Sequence, residues 1–213
     1  MSRKPRRCPG GLAYHVMNRA TARETIFAGD GDYAAFERVL AEAREREAGR
    51  IRVCAYALMP NHFHLVLWPQ SGEDEAVSGL MKWLTLTHAQ RWHAHRHTAG
   101  TGALYGSRFK SFPVREDWHF LKVCRYVERN PLRANLVERA ELWPWCSLNK
   151  RLAARRRATG GDAGGAGAAG SGGVAGRVAG VRAAGLAGSS QCGGHRRGTG
   201  GVATVRASRP PVR

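Results

Sequence analysis

The chain has 213 residues, with 34 lysines and arginines against 16 acids and a formal charge of +18, an excess that points to a polyanionic partner such as nucleic acid or an acidic membrane surface. No apolar run approaches the roughly 18 residues of a membrane span, and the start MSRKPRRCPGG lacks the apolar core of a signal peptide. The five scattered cysteines form no Cys-x-x-Cys pair, so disulfide scaffolds and zinc fingers are set aside and a cytoplasmic protein is expected.

The elements follow in chain order. GLAYHVMNRA reads as a first strand. Residues 32–48 carry Tyr33, Phe36, Val39 and Leu40 at helical spacing with a charged outer face, and Gly49 ends the run. Residues 51–68 are rich in Val, Leu, Tyr, Phe and Trp. Pro60-Asn61 interrupts them, which gives two strands, 51–59 and 62–68, joined by an irregular step. A second helix is expected over 75–97, with Val77, Leu80, Met81, Leu84 and His88 on one face. LYGSRFKSFPVR then reads as a strand, and EDWHFLKVCRYVER as a helix capped by Glu116 or Asp117 that buries Phe120, Val123, Cys124 and Val127. This order, strand, helix, strand, strand, helix, strand, is that of an α+β split β-α-β fold, an antiparallel sheet with packed helices.

Composition changes at about Leu148 to Leu152. Residues 151–213 hold eleven arginines, no lysine, one acid (Asp162), 17 of the 27 glycines, and no Phe, Tyr, Trp, Ile or Met. So little apolar bulk does not offset the entropy of ordering the segment, so a folded domain over 1–150 and a disordered tail over 151–213 are expected. The tail's Gly, Ala, Arg and Val are encoded by GC-rich codons and fit an out-of-frame origin. Its charge would add non-specific affinity for nucleic acid.

The candidate chemistry sits in LMPNHFHLVLW. Alternation along a strand puts His62 and His64 on one face with Val66 and Trp68, and Phe63, Leu65 and Leu67 on the other. Two neighbouring imidazoles can hold two positions of one metal ion and leave the others to another segment. The alternative is a pair of half-exposed strand histidines without a role. On the third helix Tyr126 and Asn130 are four residues apart and share a face. They read either as site residues, or as a core tyrosine and an Asn-Pro cap for the following PLRANLV. His88, His93, His95 and His97 spread around several faces of the second helix and are expected to be mostly solvated, with His93 and His97 the one pair at helical spacing. Trp143 and Trp145 are expected to pack the end of the domain.

YHVMNRA, YALMPNHFHLVL, RFKSF and RYVERNPLRANLV…WPWCSL, together and in this order, resemble the REP-associated tyrosine transposases, relatives of the single-strand insertion-sequence transposases within the HUH endonuclease superfamily. The resemblance runs from about Arg7 to Leu148. It implies a ferredoxin- or RRM-like HUH nuclease core, with the His-hydrophobic-His motif at His62 and His64, the nucleophile at Tyr126 and a third metal ligand at Asn130. The segment before RFKS departs from the family at Ala103 and Gly106, where a His and a Gln are usual.

The implied reaction is cleavage and rejoining of single-stranded DNA near hairpins, through a 5′-phosphotyrosine intermediate. An ordinary tyrosine is only about 0.1% ionised at pH 7, a deficit of roughly 4 kcal/mol that such a site must reduce. Two imidazoles and an amide oxygen suit Mg²⁺ or Mn²⁺, with water and phosphate completing the shell. Arg3, Lys4, Arg6, Arg7, Arg108, Lys110, Arg115, Lys122 and Arg129 are the expected DNA contacts, with Trp68, Tyr105 and Trp118 as candidates for stacking on bases. The expected assembly is a monomer or homodimer away from membranes. The rival expectation is a binding protein for structured DNA or RNA that has lost the chemistry.

Overall fold

The computed structural model describes residues 7–114 and 117–159. Arg3, Lys4, Arg6, Arg115, Glu116, the side chain of Asp117 and with them the expected cap, and the part of the expected disordered tail beyond residue 159 therefore lie outside what the structure describes. The elements are β1 (Ala13–Arg19), α1 (Asp30–Arg46), β2 (Ile51–Met59), β3 (His62–Pro69), α2 (Ala76–Arg96), β4 (Lys110–Val114), α3 (Asp117–Glu128), the single turn α4 (Asn130–Arg133) and α5 (Ser147–Ala158). The strands form one sheet in the order β2-β3-β1-β4, with every neighbouring pair antiparallel. Fold class and element order are those expected from the sequence pattern.

Strand β3 lies inside the sheet and is covered on both faces, which is why its sequence is apolar almost throughout. Phe63, Leu65 and Leu67 are fully buried with Tyr33, Phe36, Val39 and Leu40 of α1 and Val77, Leu80, Met81 and Leu84 of α2. Val66 points the other way, into a smaller cluster with Ala55, Ala57, Cys146 and Val127, against which Phe120, Val123 and Cys124 pack. The apolar stripe expected on the third helix is therefore the one that seats α3 on the sheet. A bulge between Val53 and Ala55 breaks the regular alternation of β2, and both Cys54 and Ala55 join this smaller cluster.

Helix α1 starts where Asp32 accepts the backbone N–H groups of Ala28 and Gly29 at 2.8 and 3.3 Å. The same carboxylate takes Arg96 at 2.8 Å and so ties the last turn of α2 to the first turn of α1. Arg96 also stacks over Trp92, 4.3 Å from the ring centre.

Two expectations need correction. β4 is shorter than LYGSRFKSFPVR: Tyr105 forms only an isolated bridge to Ala20, and regular pairing starts at Lys110. The loop before it lies against Thr21, whose hydroxyl donates to the Ala103 carbonyl at 2.5 Å. A Cβ on Gly106 would stand 3.3 Å from the Thr21 Cα, which accounts for a small residue at that departure from the family pattern. In α2, His88 is buried rather than solvated and bonds the Tyr105 hydroxyl at 2.7 Å.

The chain end closes the edge of the sheet as expected. The Trp143 indole donates to the Leu58 carbonyl at 2.9 Å, the Leu58 N–H donates to the Trp145 carbonyl at 2.9 Å, and Tyr33 stacks on Trp145. The boundary expected at residue 150 falls inside α5. Glu128, at the end of α3, is buried and accepts Ser147 Oγ at 2.5 Å and Arg151 at 2.6 Å. A buried carboxylate stripped of one partner is costly, although Arg151 is half-exposed and solvent screens part of the interaction. A chain ending at Lys150 should therefore be less stable than one ending at Thr159, by about 2 kcal/mol, as read by denaturant titration. Equal midpoints would show that the second half of α5 contributes nothing to the fold.

Burial pushes His88 down to about 4. Its charge is excluded in the fold and accepted in the unfolded chain, so stability is complete above pH 6.5 and falls as the pH drops toward 4. For this one group the loss approaches about 3 kcal/mol. His88→Gln, which keeps an acceptor for Tyr105, should flatten this acid limb of the stability profile; an unchanged limb would assign it to other groups.

Candidate active site

Pairing of β1 with β3 builds the floor of the site. In the register Met17 stands opposite His64, Arg19 opposite His62 and His15 opposite Val66. On the far side of β1, Phe112 and Lys110 of β4 stand opposite His15 and Met17. Cross-strand partners share a face, so His15, Met17, Arg19, His62, His64, Lys110 and Phe112 all lie on the face that α3 covers.

The two β3 imidazoles are held differently. His62 Nδ1 lies 2.6 Å from Asn61 Oδ1, and the Asn61 amide nitrogen donates to the Arg23 carbonyl at 3.0 Å. That second bond fixes the amide orientation, so the Asn61 oxygen faces His62 and the imidazole must donate through Nδ1–H. The lone pair of His62 is then on Nε2. His64 is only 4% exposed and meets a second imidazole, with its Nδ1 2.9 Å from His15 Nε2. The His15 and His64 rings stack at 5.1 Å, and His62 meets His64 edge-on at 5.0 Å.

Burial makes these rings neutral. Desolvation, with a smaller contribution from the Arg19 charge, pushes His62 down to about 4. Desolvation, with His15, His62 and Arg19 adding repulsion, pushes His64 down to about 3. His15 is also lowered by burial. A neutral imidazole with one nitrogen engaged by the protein and the other free is the form that binds a metal.

Helix α3 brings its tyrosine over this floor. The Tyr126 ring stands edge-on to His15 at 5.9 Å and to His64 at 6.4 Å, while the residue remains 42% exposed. It is not a core tyrosine. Arg133, from the following turn, holds its guanidinium 5.0 Å from the Tyr126 ring centre. Asn130 opens α4 but does not cap it. Its amide nitrogen donates back to the Tyr126 and Val127 carbonyls at 3.0 and 3.3 Å, which leaves its oxygen without a hydrogen bond among the described residues.

Among the described residues no group of three His, Cys, Asp or Glu side chains is arranged to hold a metal. The uncommitted lone pairs are of another kind, on neutral imidazoles of β3 and on the Asn130 amide oxygen that follows the tyrosine-bearing helix. They fit a hard divalent cation that keeps further oxygen ligands of its own.

The surroundings are cationic and aromatic. Lys110, Lys122, Arg129 and Arg7 are exposed, as is Arg108 in the loop before β4. Lys122 lies 4.1 Å over Trp118, which is 58% exposed, so that ring is available on α3. Trp68 is partly exposed, donates to the Gly11 carbonyl at 3.2 Å and packs edge-on against Phe120. Tyr105 is half-buried and packs against the main core, bonded to His88 and edge-on to Phe63 at 5.9 Å. Helical spacing puts Lys122 and Arg129 or Arg133 on the face of Tyr126 and Asn130, and Arg133 is the one found beside the tyrosine ring; sequence reasoning missed His15, Arg19 and Asn61. Period-2 alternation on β1 places His15 and Arg19 on one face, but only the β1–β3 pairing shows that it is the histidine face.

No curated protein matches the chain in sequence. Among solved structures, a REP-associated tyrosine transposase bound to a REP hairpin superposes with a TM-score of 0.53 at 18% identity, covering 72% of this chain and 86% of that one. A crystal structure described as a transposase from Deinococcus radiodurans R1 aligns with a TM-score of 0.40 at 17% identity, over 60% of this chain and 97% of that one. The family model described as "Transposase IS200 like" matches residues 10–130, a span that begins just before β1 and ends at Asn130. With the sheet, both histidines and the tyrosine-bearing helix inside that match, the chain belongs to the IS200-like transposase family.

Proposed function

We propose that this transposase cleaves and rejoins single-stranded DNA through a covalent 5′-phosphotyrosine intermediate on Tyr126, with a divalent cation held by His62, His64 and Asn130. The observation that carries this reading is an exposed tyrosine set edge-on against buried, neutral imidazoles on one sheet face. The similar fold bound to a REP hairpin favours hairpin-forming DNA as the substrate, in line with the REP-associated motifs of this chain.

Each residue has a distinct task. Tyr126 Oη attacks the scissile phosphorus as the bond from phosphorus to the 3′ oxygen breaks, and the departing strand leaves as a 3′-hydroxyl. The phosphotyrosine ester retains the energy of the broken bond, so a 3′-hydroxyl can reverse the step and join a different strand. Arg133 places positive charge beside the phenol ring, on the side where an anionic phosphate would have to approach its hydroxyl. Arg19, in register with His62, offers a second cation at the floor. When bound, Mg²⁺ or Mn²⁺ would neutralise charge on the phosphate and orient it for in-line attack. Exposed Lys110 and Lys122 would follow the strand's backbone, and exposed Trp118 would stack on a base; Arg129, also expected as a contact, is exposed in a groove with Glu128, Glu138 and Glu141.

Tyr126→Phe should abolish the denaturant-resistant adduct with single-stranded DNA from the flanks of the gene while changing DNA affinity less than about threefold, because only the hydroxyl is removed. Gel shift and denaturing electrophoresis of the two proteins side by side decide it. An adduct that persists would place the nucleophile elsewhere. Wild-type binding without an adduct would instead favour a binding protein that has lost the chemistry.

His62→Ala and His64→Ala should each slow cleavage by about 100-fold or more and raise the Mn²⁺ concentration needed for half-maximal rate, since a rigid strand cannot supply a replacement ligand. Cleavage by the wild type that is undiminished in EDTA would remove the metal from the reaction.

A further inference from the structure

His15 is the one polar side chain described in contact with both a β3 histidine and the tyrosine. Its Nε2 lies 2.9 Å from His64 Nδ1, its ring stacks on His64 with a 20° interplanar angle, and it meets Tyr126 edge-on at 5.9 Å. Phe112, its partner across the β1–β4 pairing, flanks it at 6.0 Å.

Two neutral imidazoles joined nitrogen to nitrogen share one proton, and where it sits decides what His64 can do. If His15 donates, the Nδ1 lone pair of His64 is used, its proton is on Nε2, and no nitrogen remains for a cation. If His15 accepts, His64 is the Nδ1–H form with a free Nε2 lone pair, the same form that Asn61 imposes on His62. His62 is thus set by an amide of fixed orientation, while His64 depends on His15.

We propose that His15 is a positioning residue that accepts the Nδ1–H of His64, holds that ring in the metal-binding tautomer, and braces the Tyr126 ring beside it. The inference rests on the proposed metal reading for its purpose, but the tautomer is a property of the metal-free protein. Removing a hydrogen-bond partner of this kind typically weakens metal binding by about 10- to 100-fold.

The test uses the full chain and two variants. His15→Phe keeps a ring against His64 and Tyr126 but has no acceptor, and His15→Gln keeps an acceptor on a flexible side chain. Imidazole ¹⁵N spectra of metal-free wild type, with the His64 signal assigned through its loss in His64→Gln, should show His64 protonated on Nδ1. His15→Phe should lose that preference and bind Mn²⁺, read by paramagnetic resonance of the free ion, about tenfold more weakly. His15→Gln should bind within about threefold of wild type. A wild-type His64 protonated on Nε2, or equal Mn²⁺ affinity in the Phe and Gln variants, would overturn the role of His15. The wild-type spectrum decides even if His15→Phe does not fold. A wild type that binds no Mn²⁺ would overturn the metal reading instead, and the spectrum would still judge His15 by itself.

Discussion

Covering β3 on both faces is the constraint from which the rest of the site follows. A strand in that position must be apolar, and Phe63, Leu65, Val66 and Leu67 are fully buried. Two imidazoles on the same strand lose water when α3 closes over them, and a desolvated imidazole keeps its neutral form. The fold thus converts two ordinary side chains into lone-pair donors at neutral pH without a nearby carboxylate. It also leaves their ring nitrogens in need of partners, and the chain supplies Asn61 to one and His15 to the other.

The same closure fixes where the tyrosine can stand. Helix α3 is seated by Phe120, Val123, Cys124 and Val127, and a residue one position before Val127 falls at the margin of that stripe. Tyr126 therefore reaches the histidine face while remaining open to a substrate. The end of α3 is fixed from behind by Glu128, whose bonds to Ser147 and Arg151 join it to α5. Packing along the helix and an ion pair at its end together hold a half-exposed side chain in place, which is what the proposed in-line attack would require of it.

Much of this was legible in the sequence, because periodicity reports which face of an element is buried. Three helices and the strand pair of the histidine motif lie within a few residues of the expected ranges, and the stripe of α3 is the expected one. The misreadings share one physical origin. Regular pairing in β4 starts only at Lys110, because its first residues turn aside to lie against Thr21, a contact with a distant loop. Helix α5 continues past residue 150 because Arg151 answers a buried Glu128, 23 residues earlier. His15 joined the site through a strand pairing, and Asn61, though next to His62, is oriented by the distant Arg23 carbonyl; no local pattern encodes either. What the sequence hides is partnership across the chain, and the polar side chains that orient a site depend on little else.

Charge completes the arrangement. Within the described residues Arg19 and Lys110 lie on the histidine face, Arg133 stands beside Tyr126 and Lys122 lies on the covering helix, while the described acids are largely engaged elsewhere: Asp32 with Arg96, Glu42 with Arg91, Glu128 with Arg151. Among the described residues this face carries no carboxylate and its imidazoles are neutral, so its cations face no counter-charge across it. A phosphodiester entering there would supply the missing negative charge, and its approach would be favoured over a longer distance at low salt than at high. On the proposed reading, the positive charge would draw the backbone of a single strand toward the face that carries Tyr126, a division of labour in which long-range charge brings the substrate and buried hydrogen bonds hold the groups that act on it.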